Sequence, residues 1–173
     1  MKRETVYRLT DEYSLFYLKF IETMRKEGAG VWKSFQQTPT YRAWSGYAFE
    51  SICLKHLPEI KKALGISGIF STSSAFYQKG TDGMDGCQID LLIDRDDRVI
   101  NLCEIKWAAS DFIITKSYAT ELRKKISLFR HYSKTKKQVF LTFISTHGLL
   151  QNEHSLGLVD KELSLDDLFS GGF

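Results

Sequence analysis

The chain has 173 residues, 43% hydrophobic and 26% charged, enough to bury a proper core and ordinary for a soluble globular protein. A formal net charge of +3 does not by itself announce a nucleic-acid binder, no apolar run approaches the ~20 residues of a membrane span, and Met1-Lys2-Arg3-Glu4 lacks the apolar run of a signal peptide. Cys53, Cys87 and Cys103 are odd in number and widely spaced; this speaks against a disulfide framework or a zinc site and for a reducing, cytoplasmic setting.

Residues 1–38 read as an N-terminal helical segment or linker, distinct from the remainder, 39–173. Its centre, Ser14 to Met24, has the length of a helix and is apolar on more than one side, with Ser14 or Asp11 as the N-cap and Gly28-Ala29-Gly30 as the stop. So aromatic a helix needs a partner, either the rest of this chain or something outside it. After Pro39 the stripe Trp44, Tyr47, Ala48, Ser51, Ile52, Leu54, Leu57 predicts a long helix over 41–64, kinked at Pro58 and stopped by Gly65. A strand is expected at 69–77. A loop, Lys79 to Gly86, follows; its three glycines suggest flexibility, and its aspartates are wrongly spaced for a calcium loop.

Two apolar runs then flank the charged turn Arg95-Asp96-Asp97-Arg98: Ile89 to Asp94 and Val99 to Ile105. This is the pattern of a β-hairpin with largely buried strands. Within it sit Asp90 and Glu104, with Lys106 two positions beyond the glutamate. A buried carboxylate is costly unless paired or bound to a cation. Glu104 and Lys106 project to one face of their strand and Ile105 to the other, and antiparallel pairing brings Asp90 toward the same end. Asp90, Glu104 and the main-chain carbonyl of Ile105 would offer the hard oxygen ligands that Mg²⁺ (or Mn²⁺) prefers, with Lys106 placed to hold an attacking water or offset charge on phosphorus. Without a cation the two carboxylates repel, so one is expected to hold a proton more tightly than a free carboxyl. The competing reading is a surface Asp–Lys or Glu–Lys pair on an edge strand.

A second helix is expected from Lys116 to Tyr132, with Tyr118, Leu122, Ile126 and Phe129 as its apolar stripe. Lys116, Arg123, Lys124 and Lys125 make its other face basic. That face is either simply solvated or tracks nucleic-acid phosphates beside the carboxylates. Gln138 to Ile144 reads as a buried strand, Gly157 to Val159 as a shorter one, and Ser164 as the N-cap of a closing turn of helix.

The order helix, three strands, helix, strand, with Glu50 in Gly46-Tyr47-Ala48-Phe49-Glu50, Asp90 in Gln88-Ile89-Asp90, and Glu104-Ile105-Lys106, resembles the restriction-endonuclease-like core of the PD-(D/E)XK nuclease superfamily. The likeness runs from about Tyr41 to Phe169; the proline of the motif's name is absent. It implies an α/β fold with an αβββαβ core, a mixed central sheet flanked by helices, plus the N-terminal helical appendage. It also implies Mg²⁺ held by Asp90, Glu104, Glu50 and the Ile105 carbonyl, and catalysis by Glu50, Asp90, Glu104 and Lys106 on DNA. Glu50 has a plainer alternative, pairing with a lysine such as Lys106. The phrases Trp44 to Cys53, Tyr7 to Asp11 and Phe16 to Phe20 look more like the nuclease-like domain at the C-terminus of archaeal-type AAA ATPases, where residues 1–38 would follow a winged-helix domain. No Walker A sequence is present. Three activities fit: a metal-dependent endodeoxyribonuclease, a catalytically silent DNA- or protein-binding module of such an ATPase, and an RNA-directed nuclease.

Overall fold

The structure, a computed structural model, describes residues 11–22, 31–81 and 83–170. Strands β1 (Ser71–Gln78), β2 (Cys87–Arg95), β3 (Val99–Lys106), β4 (Gln138–Ser145) and β5 (Lys161–Leu163) form one sheet in the order β1-β2-β3-β4-β5. The first three are antiparallel; β4 and β5 run parallel to β3. Helices flank this mixed sheet, so the fold class is α/β. The β-branched, alternating runs of β2–β4 bury both faces, as a sheet covered on two sides requires. Among the described residues no helix is long and apolar enough to cross a membrane.

One face of the sheet packs on a helix at Lys116–Ser133, the other on helices at Pro39–Lys55 and Leu57–Ala63. With short helices at Glu12–Phe16, Val31–Phe35 and Leu165–Phe169, these are named α1 (12–16), α2 (31–35), α3 (39–55), α4 (57–63), α5 (116–133) and α6 (165–169). Ile89, Leu92, Leu102, Leu141 and Phe143 meet Leu122 and Phe129 of α5. Leu91, Ile93, Cys103, Ile105 and Ile144 meet Phe49 and Cys53 of α3 and Ile60 of α4. Each fully buried side chain of this size contributes about 1.5–3 kcal/mol of transfer free energy.

The helix expected over 41–64 is two helices. Thr38 caps α3, its Oγ1 accepting from Tyr41 N at 3.2 Å with Pro39 just inside, where a missing N–H costs nothing. The break falls at His56 (φ −105°, ψ 35°), so Pro58 opens α4 in its first turn instead of kinking a continuous helix. Gly65 (φ +71°) is the stop: its N–H reaches Lys62 O and Ile66 N–H reaches Lys61 O, both at 2.9 Å, which is the Schellman pattern. The strand expected at 157–159 lies instead at Lys161–Leu163. Asn152 Oδ1 accepts from His154 N and Ser155 N, both at 2.9 Å, Gly157 takes φ +72°, and the chain comes alongside β4 only at Asp160, which bonds Leu141. The described residues of the loop after β1 pack tightly: Thr81 and Met84 exchange backbone bonds at 3.0 Å, and a Cβ on Gly80 or Gly86 would lie 2.8 Å from backbone atoms.

Asp11, not Ser14, caps the first helix, accepting from Ser14 N at 2.7 Å, and a π-helical turn, Tyr17–Ile21, follows. The partner its aromatics need lies in this chain. Phe20 is buried among Phe35 (4.9 Å between centroids), Trp44 (5.3 Å) and Trp32, and Tyr41 links the cluster to Trp107 after β3. Met24 and the glycines at 28–30 lie outside the described residues, as does the 7–11 phrase apart from Asp11.

Two glycines are expected to respond oppositely to a methyl group. Gly65→Ala forces a left-handed alanine and should cost about 1–2 kcal/mol. Gly46→Ala, in α3 where a Cβ meets nothing within 4 Å, should gain about 0.5–1 kcal/mol. Urea denaturation of the two variants measures both signs.

Candidate functional site

The site lies where β2 and β3 part. Their ladder runs from Asp94–Ile100 to Leu91–Cys103 and ends there; one more step in register would set Asp90 opposite Glu104. On its other side β2 carries a bulge: Ser74 pairs with Leu92 and Phe76 with Ile89, so two steps along β1 face three along β2. The extra residue reverses the alternation, since Ile89 packs toward α5 while Leu91, two positions on, packs toward α3. Bulges re-aim side chains in this way beside functional sites. Here the residue between is Asp90.

Asp90 borders a cleft of about 320 Å³ between the sheet end and α3, lined also by Arg42, Ala43, Gly46, Tyr47, Glu50, Ile105, Lys106 and Trp107. Four of the residues expected at the site therefore share one opening: Glu50, Asp90, Ile105 and Lys106. On α3 the lining positions 43, 46, 47 and 50 follow i, i+3, i+4, i+7 spacing, one helix face. The small residues Ala43 and Gly46 keep the space over Asp90 clear. Arg42 and Tyr47 (65% exposed) stand at its rim. Their helical spacing from Glu50 was the signal that could have included them.

Glu104 is not a lining residue. It is 2% exposed, and its carboxylate turns toward α5. Tyr118 Oη donates to Oε1 at 2.7 Å and Lys125 Nζ to Oε2 at 2.6 Å, while Lys106 Nζ makes an ion pair with Oε1 at 3.0 Å. Burial pushes this carboxyl up, but the charges of Lys125 and Lys106, with the hydrogen bonds from Lys125 and Tyr118, outweigh it and hold the group below its ordinary range. The extra proton expected of a repelling carboxylate pair is thus not on Glu104: two ammonium groups have taken the place of the second charge. Burial and the neighbouring carboxylate push the Tyr118 phenol up, keeping it a donor. Tyr118 was legible only as part of an apolar stripe.

The basic face of α5 divides. Lys125 is committed to Glu104, and Lys124 pairs with Asp85. Lys116 and Arg123 are exposed. Asp90 accepts from Gln88 Nε2 at 3.2 Å. The cysteines are all free and buried; Cys53 is pushed up to about 12 by burial and then by the charge of Glu50, which leaves it no nucleophile. Among the described residues no three His, Cys, Asp or Glu side chains are grouped so as to hold a metal ion. A larger cleft, about 510 Å³, lies between α4 and α6, but its Asp167 is engaged in capping α6 through Ser164.

No protein-family profile matches this chain, and no curated protein matches it. Among solved structures it is similar to a crystal structure of a protein of unknown function, AF1548, with 12% sequence identity and a TM-score of 0.47. The likeness covers 69% of this chain and 65% of that one.

The depressed Glu104 carboxyl fixes a pH dependence. A group lowered on folding contributes stability that is whole above its unfolded value and lost as pH falls through the folded one. Glu104→Gln is therefore expected to be less stable than wild type at neutral pH, by about 2 kcal/mol for charge-assisted bonds. The difference should shrink as pH falls below the ordinary carboxylate value of 4.5. Denaturant titrations at pH 7 and at pH 3 to 4 measure it, and a constant difference would contradict the assignment.

Proposed function

We propose that this chain is a divalent-metal-dependent nuclease domain that hydrolyses phosphodiester bonds in DNA, built on a restriction-endonuclease-like PD-(D/E)XK core. The observation that carries the reading is the shared cleft: Glu50, Asp90, the Ile105 backbone and Lys106 border one opening where β2 leaves β3. Two carboxylates and a carbonyl are the donor chemistry of Mg²⁺ or Mn²⁺. Asp90, Glu50 and the Ile105 carbonyl would hold the ion, with Glu104 beside them bound by lysines. Bound there, the ion would supply Lewis-acid activation of water and phosphoryl oxygen.

The protein's own groups do the rest. Lys106, partly exposed at the cleft, holds the attacking water or offsets charge building on phosphorus. Arg42 at the rim, with Lys116 and Arg123 on α5, supplies phosphate affinity independent of sequence. Continuing the likeness drawn from residues 44–53, the domain is the C-terminal part of an archaeal-type AAA ATPase acting in the cytoplasm. Its aromatic N-terminal segment, with Tyr13 71% and Leu18 53% exposed, would then face the winged-helix region.

One observation favours a second reading, a catalytically silent module that docks DNA or protein for the ATPase. Both Lys106 and Lys125 are engaged with Glu104, and a carboxylate neutralised by two ammonium groups has less need of a cation.

Nicking of supercoiled plasmid with Mg²⁺ or Mn²⁺ separates the two. Asp90→Asn is expected to abolish it, and Lys106→Ala to slow it on the order of a hundredfold, the scale of one lost preorganised electrostatic group, with DNA affinity retained. Purified wild type that binds DNA yet leaves the plasmid intact under both ions is the silent module. For binding itself, Lys116→Glu combined with Arg123→Glu should lower the slope of log K against log salt by roughly 0.9 for each phosphate no longer neutralised. An unchanged slope would return this face to plain solvation.

A further inference from the structure

Glu104 has three donor groups around its two oxygens, and they differ in kind. Tyr118 and Lys125, both on α5, are hydrogen-bonded to separate oxygens at 2.7 Å and 2.6 Å. Lys106, on the same strand as Glu104, stands at 3.0 Å as an ion pair on the oxygen that Tyr118 already occupies. Lys125 is the more enclosed of the two lysines, with 27% of its side chain exposed against 39% for Lys106. Lys106 alone of the two also borders the cleft holding Asp90 and Glu50.

We propose that Lys125 is a positioning residue: by satisfying Glu104 from α5, it lowers the cost for Lys106 to leave its neighbouring carboxylate and work in the cleft. The physical step is competition for one buried charge. With Lys125 present, Glu104 has a hydrogen bond on each oxygen and a neutralising charge, so Lys106 can turn to the cleft without leaving a buried carboxylate unpaired. With Lys125 gone, Lys106 is the cation left beside Glu104 and is held there. Lys125 thus serves the site without touching substrate, as the outer-shell partners of metal and catalytic groups do. This deepens the nuclease reading, on which its catalytic half rests.

The test uses the whole chain and has one readout that does not depend on cleavage. In wild type, Lys125→Met, Lys125→Arg and Tyr118→Phe, the acetylation rate of the Lys106 amine by a small amine-directed reagent is followed by mass spectrometry. In parallel, single-turnover plasmid cleavage with Mg²⁺ and DNA affinity without metal are measured. Lys125→Met is expected to make Lys106 several-fold less reactive and to slow cleavage about 10- to 100-fold, leaving DNA affinity within about twofold. Lys125→Arg, which can still bond Oε2 of Glu104, should restore both. If Lys125→Met does not fold, Tyr118→Phe is read in its place. Loss of that bond should draw Lys106 onto the vacated oxygen and lower its reactivity in the same direction. Lys106 reactivity unchanged in the variant, with cleavage intact, overturns the proposal and leaves the nuclease standing. Reduced Lys106 reactivity in a protein that never cleaves DNA keeps the clamp and overturns the nuclease.

Discussion

A carboxylate at position 104, on a central strand between two helical layers, constrains everything around it. Taking such a charge out of water is tolerable only when its oxygens are bonded and its charge is balanced. The donors come from two directions: Lys106 from the strand itself, Tyr118 and Lys125 from α5. Tyr118 and Lys125 are seven residues apart, hence on one helix face two turns apart, with buried Leu122 between them. Rotating α5 by a fraction of a turn, or sliding it along the sheet, breaks one of the two bonds while leaving most apolar contacts replaceable. Hydrophobic burial holds α5 on the sheet. Glu104 sets its rotation and height.

The same strand end is opened by a backbone irregularity. Beyond Leu91–Cys103 the β2–β3 ladder stops, while β3 remains paired to β4 as far as Lys106–Ser145. So β3 keeps its geometry through Glu104, Ile105 and Lys106, and β2 is free to turn Asp90 out of the sheet through its bulge. Fixed β3 residues on one side and a re-aimed Asp90 on the other leave room that the small side of α3, Ala43 and Gly46, does not fill. A Gly inside a helix costs about 1 kcal/mol against Ala, and no packing contact at Gly46 demands it. The space above Asp90 is what that residue leaves.

Most of the sheet was legible from sequence because its signal is simple: β-branched runs, a charged turn of the right length, and a long amphipathic helix between β3 and β4. The carboxylates stood out because charge inside apolar strands is rare. What escaped depends on long side chains and on choices between equivalent local signals. Lys125 reads as one more cation on a basic helix face, and Tyr118 as one more apolar stripe position. Nothing in periodicity says that both bend toward one glutamate 14 and 21 residues earlier. The misplaced final strand has a similar origin: Gly157-Leu158-Val159 has strand composition, but Asn152 and the positive φ of Gly157 commit those residues to a turn. Likewise Pro58 marks a helix boundary whether it kinks or begins a helix, and only the His56 backbone decides.

The two readings of the site differ by the position of one ammonium group. Glu104 is balanced by lysines that are both partly solvated, so each can return to water at a cost well below that of a fully buried ion pair. In the proposed nuclease, positive charge held by Asp90 and Glu50 would disfavour a second positive charge beside it at Lys106. Lys106 already borders the cleft that Asp90 and Glu50 line, so it would need only to leave Glu104 to meet a phosphate there. In the silent-module reading, a lysine held on the glutamate would keep its charge balanced without an ion and leave the cleft inert. Lys125, bonded to Oε2 of Glu104, would still balance the buried carboxylate if Lys106 moved away, and its bond would keep α5 in place. The bonds that balance Glu104 would thus also lower the cost of releasing Lys106.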